Sequence, residues 1–547
     1  MNICIKDGKI LIPAEFVRDK PTKDELGVHW FRQYKCWALY ANELTVRKIN
    51  KKFGSRLVAP APPARPTITF DYKTEPKEWQ LEALTAGLGL PAFAYLLDPG
   101  LGKSWIAITE AQILWSRGML HQVLVVCPLN AVGTWAEQIM EHGYGEITAW
   151  KRPDLMKSAD DRGPRWAIIH KDALVSPTKK DEIRKTTEGF KWAQNFLNGG
   201  YTMMVIDEST DIAGHDSWRT AAAMALRNAA NYRRILNGTF IGDKPLEAYS
   251  QLYYLDPQIV YEWSYYAFQS HFAIMGGYEV RGHGTQVLGY RNLDELSAMI
   301  DSVSYKKRKS EVDLPPKTYL VKDVVLSEKT KKVYNNIVLD IRTELDNGVI
   351  TADQAMTKAV KLRQVTGGSV FDDEHNAVKV GSEKINECMH MLRQIGNASV
   401  LIWCQFRPDI ARLGEAIQAA GYTVAEYHGD VKPSDRDMMK DQFNNKEIQV
   451  LIIQNDSGYR AITLNAAEWV FIFSNPERLL VRTQLEDRPH RIGQSKNVTY
   501  VDFIVRGSYD EVIKESHAFK KDVADYVMWK EGETKNQYVK RRVLRLL

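Results

Sequence analysis

Short unbroken apolar runs alternate with helix-length amphipathic stretches along most of the chain. After residue 66 the runs "AFAYLL", "QVLVVCP", "RWAIIH", "YTMMVID" and "YRRILNG" each read as a strand buried on both faces, and the stretches between them as helices. That alternation predicts a parallel sheet covered by helices. From about Leu255 to Met389 the pattern turns helical and irregular, with "GGYEVRGHGTQVLGYRN" and "KKRKSEVDLPPK" as loop or linker segments. The strand rhythm returns in "SVLIWCQF", "TVAEYHG", "QVLIIQ", "WVFIFS" and "VTYVDFIV", which predicts a second α/β lobe.

Ahead of the first lobe, "VAPAPPARPTITF" carries prolines at 60, 62, 63 and 66, which exclude helix and favour an extended connector. The residues before it form a small α+β module: "KILIPAEFV" reads as a strand, and "CWALYANELTVRKINKKFG" as a strand entering a basic amphipathic helix. A structural appendage and a DNA-contacting domain both fit it. The expected boundaries are 1–66 for this accessory module, 73–256 and 381–515 for the two lobes, 257–380 for helical protrusions and linker, and 516–547 for a C-terminal helical tail.

Composition narrows the class. The 547 residues exceed one core, and 44% apolar with 26% charged residues is ordinary for a folded, water-soluble chain. The formal charge of +5 suits a polyanion without demanding one. Cys4, Cys36, Cys127, Cys388 and Cys404 lie far apart with no CxxC pair, which gives no support to a zinc ribbon or disulfide framework and fits a reducing compartment. No apolar run reaches membrane-spanning length, and "MNICIKDGKILIPAEF" lacks a secretory core, so a cytoplasmic location with no membrane partner is expected.

Candidate chemistry begins at "YLLDPGLGKSWIAI". An apolar strand leads through Gly100 and Gly102 to Lys103 and Ser104 at a helix start. Read as a phosphate cradle, its backbone N–H groups and helix N-terminus meet phosphate oxygens, Lys103 reaches the β- and γ-phosphates of ATP, and Ser104 holds Mg²⁺. Read otherwise, it is a glycine turn, and Leu97 stands where the strict spacing has glycine. "MMVIDEST" places Asp207 and Glu208 after a strand, one carboxylate for the metal and the other to orient water; a solvated acidic turn is the alternative. The strand carrying them is expected to neighbour the cradle. In "QLEDRPHRIGQ", Arg488 and Arg491 share one face if the segment is helical, and two guanidiniums there would stabilise charge on a transferring phosphoryl group. An arginine-rich surface helix is the alternative, and Pro489 opposes a continuous helix.

These pieces, in this order, resemble the superfamily 2 helicase-like ATPases, in particular the Swi/Snf family of double-stranded DNA translocases, from about Thr74 to Glu511. "EPKEWQLEAL" is similar to the family's adenine-side motif, with Gln80 as base-reading glutamine. The resemblance implies that Asp98 and Leu101 line the nucleotide with Gly100, Gly102, Lys103 and Ser104. It implies DNA-phosphate contacts near Pro128, Asn130 and Thr134 in "VVCPLNAVGTWAEQI", and at Gln405, Gly458 and Arg460 in the second lobe. Gly238 and Thr239 in "ILNGTFIGDKPLEAYSQLYYLDP", with Gln484, would couple hydrolysis to DNA contact. Departures from the family pattern are Asp98–Pro99 before Gly100, Thr210 in place of histidine, Phe240 in place of proline, and Arg460–Ala461 within the second lobe's glycine-rich loop.

The resemblance thus implies two tandem RecA-like P-loop lobes with a helical insertion between them. It implies a DNA-dependent ATPase using ATP and Mg²⁺, acting on duplex or branched DNA without sequence preference as a translocase that remodels DNA or displaces bound proteins. Its compact layout is similar to bacterial and bacteriophage members. An ATP-gated DNA clamp that does not translocate, and an RNA-remodelling helicase, are the alternative readings. The runs "KKRK" (306–309) and "KRR" (540–542) are expected to be solvated faces.

Overall fold

The computed structural model describes residues 3–6, 9–17, 28–31, 35–40, 43–58, 70–156, 161–175, 187–276, 286–312, 315–346, 352–372, 374, 376–458, 464–490, 494 and 496–529. Arg460, Arg491, the proline connector and the C-terminal basic run lie outside them. The described chain divides into two units: one runs to Gly276 and adds Val287–Glu311 and the residues from Asp522, and the other comprises Val312–Lys521.

In the first unit, β1 (Cys4–Lys6), β2 (Lys9–Ile12), β3 (His29–Phe31) and β4 (Cys36–Tyr40) form an antiparallel sheet in the order β1-β2-β4-β3. The basic helix Glu43–Phe53 closes a small core of Ile10, Ile12, Val17, Val28, Val46 and Ile49. Its end is fixed by Asn50, whose amide exchanges hydrogen bonds with the Leu57 backbone at 2.8 and 2.9 Å.

The main sheet of this unit uses β5 (Ala92–Leu97), β6 (Gln122–Cys127), β7 (Ile147–Ala149), β8 (Arg165–His170), β9 (Thr202–Asp207) and β10 (Tyr232–Leu236). After a two-stranded ribbon of β11 (Ala273–Gly276) and β12 (Gln286–Tyr290), β13 (Ser304–Lys307) completes it. The order is β13-β5-β10-β9-β6-β8-β7, every pairing parallel. β6 is buried along its whole length because helices cover both faces, hence its unbroken apolar sequence.

The second unit orders β14 (Lys317–Val324), β17 (Val400–Cys404), β18 (Val424–Tyr427), β19 (Val450–Gln454), β20 (Trp469–Ile472) and β21 (Val498–Val505) as β14-β21-β20-β17-β19-β18, again wholly parallel. A small ribbon pairs β15 (Ser369–Phe371) with β16 (Ala377–Lys379). Alternate residues of the sheet feed two cores: Val400, Ile402, Ile452 and Phe471 on one face, Leu401, Trp403, Ile453 and Ile472 on the other. Each such fully buried aliphatic side chain stabilises the fold by about 1.5–3 kcal/mol relative to exposure. Two α/β units with parallel sheets flanked by helices are what the apolar pattern predicts, and they match the tandem RecA-like architecture that the family resemblance implies.

Two edge strands lie where the sequence predicted protrusions and linker. β13 "SYKK" borders the first sheet and β14 "KTYLVKDV" the second. Edge strands keep one side toward solvent, so polar residues interrupt their apolar pattern. The "KKRK" run is not a solvated face either. Lys306 donates to Asp301 and, at 2.8 Å, to the Met528 carbonyl, Lys307 pairs with Glu311 at 3.1 Å, and Arg308 meets Asp525 at 3.3 Å. Lys309 is buried. Strand pairing draws the run into the body of the unit, which charge alone does not reveal.

Candidate nucleotide site

Three strand ends lie side by side in the first unit. In register, Leu236 of β10 sits opposite Tyr95 of β5 on one side and Asp207 of β9 on the other. β10 therefore separates the strand of the glycine turn from that of the acidic pair, and the expectation that those two strands are neighbours is corrected. The intervening strand delivers Asn237, Gly238 and Thr239 between them.

The turn Asp98–Gly102 links β5 to the helix Lys103–Ser116. Gly100 and Gly102 have φ of 90° and 80°, a region disfavoured for side chains with a Cβ. Gly102 is doubly constrained, since an added Cβ would lie 2.0 Å from Gln80 Nε2. Gln80 is buried in the helix Glu78–Gly87, and its Oε1 accepts from Lys77 N at 2.8 Å. The adjacent Trp79 donates its indole N–H to the Leu101 carbonyl at 3.1 Å, and Leu101 is fully buried. Lys103 Nζ donates to the Leu97 carbonyl at 2.8 Å, folding back over the turn as an ammonium does above a loop that holds anions. Ser104 follows, half-buried. Asp98 ties the turn to the edge strand: its N–H donates to the Lys307 carbonyl at 3.0 Å and its Oδ2 accepts from Lys309 N at 2.9 Å.

Behind the turn, Arg234 of β10 and Glu110 of the Lys103–Ser116 helix form a fully buried ion pair at 2.5 Å. Tyr95 donates to the same carboxylate at 2.9 Å, and Arg234 Nη2 reaches the Leu90 carbonyl at 2.8 Å. Removing one partner of such a pair leaves an uncompensated charge and costs about 3–5 kcal/mol. The pair locks the helix carrying Lys103 to β10, the strand that leads into Gly238.

Asp207 ends β9, and Glu208 takes left-handed backbone (φ 53°), a conformation costing a non-glycine residue about 1–3 kcal/mol. Glu208 N–H donates to Leu236 O and to Asp207 Oδ1, both at 3.0 Å, while the indole of Trp135 donates to Asp207 Oδ2 at 2.9 Å. Burial, then the neighbouring Glu208 charge, pushes the Asp207 carboxyl up to about 6, against the pull of Trp135, Lys103 and Lys171. A carboxylate in that condition gains from a nearby cation. Ser104 and Asp207 each offer oxygen, the donor type that magnesium prefers.

A buried polar chain joins the acidic loop to β10. Asn237 Nδ2 donates to Ser209 Oγ at 2.8 Å, Ser209 Oγ donates to Gln251, and Gln251 Nε2 donates to Phe240 O at 2.8 Å. Thr239 N–H donates to Asn237 Oδ1 at 2.9 Å. Gly238 abuts the cradle: a Cβ there would meet Pro99 Cδ at 2.7 Å. Phe240 and Ile241 are buried and fill core, whereas Asp243 is half-buried and Lys244 exposed. Lys171 pairs with Asp211 just beyond Thr210.

Of the residues expected at DNA, Asn130 and Thr134 are exposed and Pro128 is buried. In the second unit Gln405 donates to Asp456 Oδ2 at 3.0 Å and accepts from Asn455 Nδ2 at 3.1 Å, and Gly458 closes the short helix Asn455–Gly458. Gln484 lies buried on the helix Leu479–Glu486.

The helical face expected to present Arg488 with Arg491 is not formed as far as the described residues run. The helix stops at Glu486, and Arg488 sits in the following turn, 4% exposed, with its carbonyl accepting from Leu464 N at 3.2 Å. Pro489 disfavours helical backbone in the residue before it, which accounts for the stop. Gln494 braces the segment by donating to Pro489 O at 3.1 Å and Asn465 O at 3.0 Å. Sequence reasoning missed Trp135, Ser209, Asn237, Gln251 and Lys171, whose partners are far away along the chain. No local spacing marks them.

Residues 94–399 match the SNF2-related domain, and residues 383–493 the helicase conserved C-terminal domain. The chain belongs to the SNF2-related family. Similar curated proteins include a "Probable chromatin-remodeling complex ATPase chain" of Oryza sativa subsp. japonica, 23% identical over 85% of this chain and 41% of the relative. A "Probable global transactivator" of Orgyia pseudotsugata multicapsid polyhedrosis virus is 23% identical over 74% of this chain and 80% of the relative. Among solved structures, the "Sulfolobus solfataricus SWI2/SNF2 ATPase core in complex with dsDNA" aligns with 19% identity and a TM-score of 0.36, covering 84% of this chain and 95% of that one. This SNF2-related chain spans less than half the length of the plant and animal relatives that it matches, and most of the viral one.

Proposed function

We propose that this SNF2-related chain is an ATP-dependent DNA translocase, a DNA-stimulated ATPase that moves along duplex or branched DNA and remodels it or displaces bound proteins. The observation that carries the reading is the row of parallel strands β5, β10 and β9, which lead into the Lys103 turn, the Asn237–Thr239 segment and the Asp207–Glu208 pair. Lys103 and the Gly100–Gly102 backbone bind the triphosphate, with Gln80, Asp98 and Leu101 shaping that side of the site. Ser104 and Asp207 hold magnesium, which when bound neutralises phosphate charge. Glu208 orients the attacking water, and Arg488 and Arg491 stabilise charge on the transferring group. Gly238, Thr239 and Gln484 relay the nucleotide state, and Asn130, Thr134, Gln405, Gly458 and Arg460 contact DNA phosphates.

The name of the rice relative, a chromatin-remodeling ATPase chain, supports DNA as the partner, and the 80% coverage of a viral relative supports a bacterial or bacteriophage type of layout. Phosphate contacts carry little sequence information and weaken steeply with salt, so stimulation by mixed-sequence duplex is expected, declining as salt rises. Steady-state ATP turnover with and without duplex DNA tests the ATPase reading, and equal rates would overturn it. Displacement of the third strand from a triplex tests movement, because a clamp that does not translocate leaves it in place.

A further inference from the structure

Trp135 is nearly fully buried, yet its one polar atom is spent on a carboxylate at the candidate site rather than on a nearby backbone carbonyl. It lies in the first turn of the helix Val132–His142. Directly before that helix is the 3-10 turn Leu129–Ala131, with Leu129 60% exposed and Asn130 also open to solvent. Thr134, exposed, is the residue preceding the indole. One helical turn thus has an outer surface facing solvent and an inner side chain on Asp207.

The two oxygens of Asp207 accept from donors of unequal kind. Its Oδ1 accepts from the N–H of Glu208, a neighbour that moves with it, whereas its Oδ2 accepts from Trp135, 72 residues away on a separate element. Without the indole the carboxylate loses the donor that comes from a separate element. Bonds from a neutral donor to a charged acceptor are short and direction-sensitive, so a small shift of the helix start changes the orientation of this acid. The indole is rigid, with two side-chain torsions, and transmits displacement rather than absorbing it.

We infer that Trp135 is a positioning residue that carries occupation of the exposed Leu129–Thr134 surface to the Asp207 carboxylate. The inference rests on the proposed DNA-stimulated ATPase, and adds the physical link between stimulation and chemistry: DNA phosphates seated on Asn130 and Thr134 set the helix start, and the indole sets the acid that holds magnesium.

The full-length chain with Trp135→Phe, which keeps an aromatic ring and removes the donor, tests it. The ratio of DNA-stimulated to basal turnover is expected to fall about tenfold, the scale of one lost hydrogen bond to a charged group. Duplex affinity stays within about twofold, because the exposed contacts remain. The magnesium concentration for half-maximal binding of a fluorescent ATP analogue rises severalfold, a readout independent of turnover. Trp135→Gln, which returns an N–H donor at similar reach, recovers part of the ratio and carries the test if the phenylalanine variant does not fold. Basal and stimulated rates falling together, with ratio and magnesium requirement unchanged, would reduce Trp135 to a packing residue and overturn the inference. A wild-type chain that duplex DNA does not stimulate would overturn the underlying reading as well, and the two failures are told apart by the wild-type control.

Discussion

The first and second units bury carboxylates in similar parallel sheets and treat them in opposite ways. Asp207 ends β9 in the first, and Asp502 lies within β21 in the second. Burial pushes both carboxyls up. At Asp502 the fully paired guanidinium of Arg482 more than offsets it, with bonds of 2.5 and 3.3 Å, and Asn475 adds a donor at 3.1 Å, so the carboxyl ends below its ordinary value. At Asp207 the ammonium groups of Lys103 and Lys171 pull the other way without offsetting burial and the like charge of Glu208, and the carboxyl is pushed up to about 6. One acid has its demand for positive charge met by the chain itself. The other leaves part of it unmet, so a further cation nearby would lower that carboxyl.

The sharpest break in that contrast is at Asp502. Asp502→Ala strands the buried Arg482 and is expected to destabilise the protein by about 3–5 kcal/mol in chemical denaturation. A change below about 1 kcal/mol would mean that Glu486 and Asn475 suffice for Arg482. Asp207→Asn should act the other way round. Turnover falls at least about a hundredfold, while the melting temperature holds or rises, because a disfavoured charge has been removed. A lowered melting temperature would make Asp207 an architectural acid like Asp502.

Asp409 supplies the subtler test. It lies fully buried in the second unit near Lys384, Arg412, Ser369 and Asp510, and burial pushes its carboxyl up to about 7 against the pull of the two cations. In the unfolded chain it ionises near 4. Between those values the folded state holds the extra proton, so stability from this group is lost as pH rises toward 7 and stays lost above it. Asp409→Asn is therefore expected to gain about 2 kcal/mol more relative to wild type at pH 8 than at pH 5, measured by urea denaturation. Equal gains at the two pH values would show that Lys384 or Arg412 already compensates the charge.

Central strands were legible in the sequence because helices on both faces demand continuous apolar residues, as in β6 and β19. β7 was too short to stand out, and β13 and β14 too polar, each lying at the margin of its sheet. The glycine turn was legible because left-handed backbone selects glycine at 100 and 102. The interposition of β10 was not, since strand order is set by long-range pairing that leaves no local mark. The Arg488 segment divided along the same line: its residue types were readable, while its turn conformation followed from Pro489 and from packing around Leu464 and Gln494.

By itself the amino-acid sequence determined the two α/β units, the glycine turn and the acidic pair, because periodicity, backbone φ and side-chain chemistry act over a few neighbouring residues. Tertiary structure alone decided that Asn237 stands between cradle and acids, that Trp135 holds Asp207, and that Asp502 is neutralised while Asp207 is not. Hydrogen bonds and charge pairing depend on distance in space, and only the folded chain sets which distant residues come within reach.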